Sequence, residues 1–68
     1  MENDNIELEK NIGQSLKALR LTRAMTLDQL ATASGVSRAM ISKIERGEAS
    51  PTAVLLARLL SPLKETLS

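Results

Sequence analysis

Residues 26–47 read TLDQLATASGVSRAMISKIERG, and the rest of the chain is arranged around them. The stretch opens with Thr26 as a helix N-cap and Gln29 three positions on, the T-x-x-Q pattern of a capping box. Asp28 falls in the first turn, where the helix dipole favours a negative charge. Leu27, Leu30 and Ala31 share one face at helical spacing, so a short amphipathic helix is expected. It should stop at Ser34-Gly35, because glycine takes left-handed backbone at low steric cost. Val36 then turns back toward the core. Ser37 caps a second helix, expected to run from Arg38 to Arg46 and to end before Gly47.

Two short helices joined by a tight turn at a glycine form a helix-turn-helix. The second helix has Ile41 and Ile44 on its inward face. Ala39, Ser42, Lys43 and Arg46 lie opposite, at steps of three or four. That face is small and polar, and two of its four members are basic. A DNA major groove accepts a helix with such a face.

The run GVSRAMISKIERG (35–47), followed by Pro51-Thr52, resembles the helix-turn-helix domain of the phage Cro and repressor class, also called the xenobiotic-response-element class of bacterial regulators. The resemblance extends from about Ile12 to Leu60. It implies an all-α, four- to five-helix bundle of the lambda-repressor-like kind over residues 8–68. It implies a transcriptional regulator, typically a repressor, that binds double-stranded DNA with its third helix in the major groove. On this resemblance Ser37, Arg38, Ala39, Met40, Ser42 and Lys43 face the bases. Arg38 and Lys43 are suited to guanine O6 and N7, and Ala39 or Met40 to a thymine methyl. Ser42 leaves room. Arg38 contacting only phosphate, and Met40 packing in the core or at the rim, are the competing roles for those two residues. The Thr26 and Leu27 amides offer a phosphate seat at a helix N-terminus. Gln29 either joins them or is tied up in the cap. Arg46 and Ser50 are placed to grip the second phosphate strand. Arg20 and Glu45 match a partly buried ion pair between the first and third helices, the alternative being two solvated charges. The resemblance further implies a homodimer on half-sites about one DNA turn, roughly 34 Å, apart. Leucines between residues 54 and 67 are the candidate dimer surface. Many relatives also carry a C-terminal sensing or dimerising domain.

Composition agrees with a small helical domain. The chain has 68 residues with no Cys, His, Phe, Tyr or Trp. A domain of this size buries only about 60% of its unfolded surface. Its core must be aliphatic, and neither a disulfide nor a usual zinc site can brace it. No metal or other cofactor is expected. Catalysis is not expected either, since the serines lack a base partner at recognisable spacing. Single-stranded nucleic acid is disfavoured, because no aromatic ring is present for bases to stack on. No apolar run approaches the roughly 20 residues that span a bilayer, and no signal peptide is visible. A cytoplasmic location with no membrane partner is the expectation. Residues 1–9 carry four acidic and no basic residues, while residues 10–68 carry nine basic and four acidic ones. The net +1 is therefore −4 on a leader and +5 on the remainder, which fits a modest DNA binder.

Along the chain, residues 1–7 read as an acidic flexible tail. Leu8, Ile12, Leu16 and Leu19 predict a helix from about Leu8 to Arg23, with Asn11 as an alternative cap. Gly13 costs this helix up to about 1 kcal/mol relative to alanine, and such a glycine often admits another backbone. Arg23, in the following connection, is a candidate phosphate contact. Ser50-Pro51 reads as the start of another helix, serine capping and proline at the first position. Ala53 to Leu60 is apolar all round except Arg58, so it should be covered on more than one side. Ser61-Pro62 reads as a further start, with Leu63 and Leu67 on one side of a short last helix. The rival to DNA reading is a protein-interaction module, such as an antitoxin-type helix-turn-helix protein. The basic face of Arg38, Lys43 and Arg46 separates the two.

Overall fold

Helical spacing of aliphatic residues, broken by three turns, gives four helices among the residues described. The computed structural model describes the backbone over residues 4–65 and side chains over residues 10–64. The helices are α1 (Asp4–Thr22), α2 (Leu27–Ser34), α3 (Arg38–Glu45) and α4 (Ala53–Glu65). The all-α bundle is thus the low end of the expected four to five helices. Helix α3 packs on α1 and α2, and α2 packs on α4.

The core is aliphatic. Leu16 of α1, Leu30 of α2, Val36 of the turn, Ile41 and Ile44 of α3, and Leu59 and Leu63 of α4 are all buried. Each fully buried side chain of this kind contributes about 1.5–3 kcal/mol before entropy is charged against it.

The helix ends follow local chemistry. Thr26 and Gln29 form the capping box, with Gln29 N donating to Thr26 Oγ1 at 3.0 Å and Thr26 N donating to Gln29 Oε1 at 2.8 Å. Gly35 closes α2 in left-handed backbone at φ 75°, its N–H donating to Ala31 O. Ser37 Oγ accepts from Met40 N and caps α3. Helix α3 ends at Glu45, with Arg46 as its C-cap. Beyond it Gly47 is left-handed at φ 75°. Gly47 N donates to Ile44 O at 3.0 Å and Glu48 N to Lys43 O at 2.9 Å, the double bond of a Schellman end. The end of α1 repeats that pattern without a glycine. Ala24 is left-handed at φ 56°. Its N–H donates to Leu21 O at 2.9 Å, and Met25 N donates to Arg20 O at 3.1 Å.

Several expectations need correction. Helix α1 begins at Asp4 rather than Leu8 and runs through Asn11 without a cap there. The tail expected over 1–7 lies partly outside the described residues, which exclude 1–3 and the side chains to residue 9. Ser50 does not cap α4. Thr52 does, its Oγ1 accepting from Leu55 N at 3.1 Å, so Pro51 stands before the cap and not inside the helix. No new helix starts at Ser61-Pro62. Pro62 lies inside α4, which continues to Glu65. Leu59 and Leu63, both fully buried at a spacing of four, explain why: only a continuous helix puts both into the core. Leu67 lies outside the described residues.

Candidate nucleic-acid interface

The outward face of α3 exists because its inward face is so well held. Ile41 and Ile44 are fully buried, and at 100° per residue they turn Ala39, Ser42, Lys43 and Arg46 away from the core. Ala39, Lys43 and Arg46 are exposed and Ser42 is half-buried. Arg38 and Met40 flank this face, both exposed. Met40 is 37% exposed, so it is not a core side chain.

Helix α3 is fixed to α1 by a charged clamp. Arg20 Nε donates to Glu45 Oε2 at 2.7 Å and its Nη2 to Glu45 Oε1 at 2.9 Å, a bidentate pair. The third guanidinium nitrogen, Nη1, donates to Met25 O at 2.8 Å. Side-chain exposure is 8% for Arg20 and 5% for Glu45, so these are not two solvated charges. The hydrogen bond to Glu45 raises the Arg20 pKa above its already high ordinary value; burial opposes the shift and the Glu45 charge reinforces it. No buried side-chain polar atom lacks a partner among the described residues. The clamp thus ties the end of α1, the turn before α2 and the end of α3 at one point.

Gly13 permits that approach. A Cβ built there would overlap Ile44 O and lie 2.9 Å from Glu45 O. Helix α1 therefore lies directly against the last turn of α3.

The N-terminus of α2 sits beside the N-terminus of α3. Asp28 Oδ1 lies 3.5 Å from Arg38 Nε, with both side chains exposed. At the α2 N-terminus the Thr26 amide is consumed by the capping box, as is Gln29 Oε1. Leu27 is half-buried against the core, so what it offers a ligand is its first-turn amide, a group that α-helices leave without an intrahelical acceptor. Arg46 Nε pairs with Glu48 Oε2 at 3.1 Å on the surface. Ser50 is exposed in the loop before α4. Lys43 has no carboxylate within ion-pair distance among the described residues.

Arg23 Nε donates to Leu63 O at 3.1 Å, tying the turn after α1 to α4. The pairings Arg38–Asp28 and Arg23–Leu63 carry no sequence signal, because each joins different helices at separations that no helical period links.

Comparison with known proteins agrees with this geometry. The HTH_3 family model, described as Helix-turn-helix, matches residues 16–68. The chain is 41% identical over 61 residues to the HTH-type transcriptional regulator SutR of Escherichia coli (strain K12), covering 90% of this chain and 34% of that protein. It is 45% identical over 56 residues to the HTH-type transcriptional repressor RghR of Bacillus subtilis (strain 168), covering 81% and 42% respectively. A crystal structure of an HTH_3 family transcriptional regulator from Vibrio cholerae superposes with a TM-score of 0.85 at 42% identity, covering 88% of this chain and 34% of that one. The chain thus spans 34–42% of the length of these relatives. Motif, fold and relatives agree, and the chain belongs to the HTH_3 helix-turn-helix family of transcriptional regulators.

Proposed function

We propose that this chain is a sequence-specific reader of double-stranded DNA in a transcriptional regulator, a repressor, with α3 in the major groove. The observation that carries the reading is the exposed, small and basic outer face of α3, backed by two fully buried isoleucines and the Arg20–Glu45 clamp. A face held this rigidly keeps Arg38, Ala39, Met40, Ser42 and Lys43 in one register against base edges. Phosphate contacts supply most of the affinity, and base edges supply the choice. Arg46, Ser50 and the first-turn amide of Leu27 are the backbone contacts. Arg46 exchanges Glu48 for a phosphate on binding.

One domain offers few contacts, so the working form is a homodimer on a palindromic operator with half-sites about 34 Å apart. The outer face of α4 is the surface for the second copy. Val54 is 66% exposed there, and Leu56 and Leu60 line an open apolar groove of about 490 Å³ with Ala53, Ala57, Ser61 and Lys64.

Selection of random duplexes by the purified chain tests the reading. A palindrome with half-sites one turn apart is the expected result. Changing Arg46 to alanine should weaken binding on all sequences and reduce the salt slope by about 1, whereas Lys43→Ala should relax the choice at the base pair it reads. Full activity after Arg38, Lys43 and Arg46 are all changed to alanine would replace this reading with the protein-interaction module.

A further inference from the structure

We propose that Asp28, on α2, is a positioning residue for Arg38, and that the guanine preference of this face is set by the two together; this rests on the DNA reading proposed above. Arg38 is the first residue of α3 and its side chain is 64% exposed. A free arginine there has many rotamers and presents any edge of its guanidinium. Guanine O6 and N7 are read by two parallel N–H donors, so the edge that faces the groove decides whether a bidentate contact forms. Asp28 Oδ1 lies 3.5 Å from Arg38 Nε. That contact turns the Nε edge toward α2 and leaves the Nη1 and Nη2 end for a base.

The placement also accounts for a carboxylate at a surface that must approach phosphates. An unpaired aspartate there repels DNA, whereas one facing Arg38 is neutralised by the side chain it orients. In open water such a pair contributes little, since both groups are solvated. When the groove closes over it, water leaves and the attraction strengthens. Ordering Arg38 beforehand also removes part of the entropy lost on binding.

The test compares this chain with Asp28→Ala, Arg38→Ala and the double variant, on the duplex selected by the unsubstituted chain and on its single base-pair variants. The quantity read is the affinity ratio between guanine and other bases at the position where Arg38→Ala abolishes preference. Asp28→Ala should lower that ratio roughly two- to fivefold, the range of an exposed ion pair, and should have no effect on it in the Arg38→Ala background. Asp28→Glu should restore part of it. A residue serving only the α2 dipole would change affinity for every duplex by the same factor and leave the ratio intact, and that result overturns the proposal. A preference insensitive to Arg38→Ala overturns it too, while leaving DNA reading in place. Failure of the unsubstituted chain to enrich any duplex sinks both.

Discussion

Replacing Gly13 with alanine sets two physical effects against each other. Helix propensity alone makes the change favourable by about 1 kcal/mol, since glycine is the poorer residue in a helix interior. Packing opposes it. The added methyl would overlap Ile44 O and would sit 2.9 Å from Glu45 O and 3.1 Å from the Glu45 carbonyl carbon. These are backbone atoms of the last turn of α3, and Ile44 O already accepts from Gly47 N in the Schellman end. No flexible side chain can give way, so α1 and α3 must separate. Overpacking of this kind costs about 1–3 kcal/mol, occasionally more, and the overlap with backbone points to the upper end. Separation also strains the Arg20–Glu45 pair, whose shortest contact is 2.7 Å. With the propensity gain of about 1 kcal/mol set against the upper end of that cost, the net expectation is a loss of about 2 kcal/mol. A domain of this length has only about 3–10 kcal/mol in total, so the urea midpoint should fall by about 1 M or more. Urea unfolding followed by helical circular dichroism measures it. Gln14→Ala, on the exposed face of the same helix, is the control and should change stability by less than about 0.5 kcal/mol. An unchanged or raised midpoint for Gly13→Ala would refute the close approach of α1 to α3.

Four further outcomes follow from the geometry. Glu45→Ala leaves the Arg20 guanidinium buried without its partner and should cost about 3–5 kcal/mol in thermal or urea unfolding, whereas replacing both residues by apolar ones of similar volume should cost far less. The raised pKa of Arg20 means its contribution is complete below the unfolded-state value and is lost only in strong alkali, so a stability profile near neutral pH should show no step from this group. Ala24→Gly should stabilise the domain by up to about 1 kcal/mol, a Tm rise of roughly 4–8 °C, because Ala24 holds φ 56° at a position suited to glycine; a lower Tm would count against that backbone. Pro62→Ala should raise stability by about 1–3 kcal/mol, since proline inside α4 removes a helix hydrogen bond, and a loss on calorimetry would restore a break between two helices at that point.

The motif was legible because its signals are local. Thr26 with Gln29, Gly35, Ser37 and the Ile41–Ile44 spacing each act over four residues or fewer, so caps, turn and inward face could be read without knowing what they pack against. Gly13 was legible as an anomaly: a poor helix residue inside a good helical pattern suggests a neighbouring backbone, though not which one. The local signals misled where two competed. Ser50-Pro51 and Ser61-Pro62 are both good helix starts, but Thr52 supplies the cap that is used, and burial of Leu59 and Leu63 on one face outweighs the proline between them. Left-handed Ala24 carried no signal, because alanine is not a residue that announces such a backbone. The position of Asp28 against Arg38, of Arg23 against Leu63 O, and the bidentate geometry of Arg20 with Glu45 belong to the tertiary structure alone. The sequence by itself determined the helix-turn-helix, its aliphatic faces and the outward basic face of α3, since periodicity and capping depend only on near neighbours, but it divided α4 in two at Ser61-Pro62. Only the packed structure decided that Asp28 meets Arg38 and that Arg23 meets Leu63 O, because those contacts depend on how the helices cross, and no spacing along the chain encodes that.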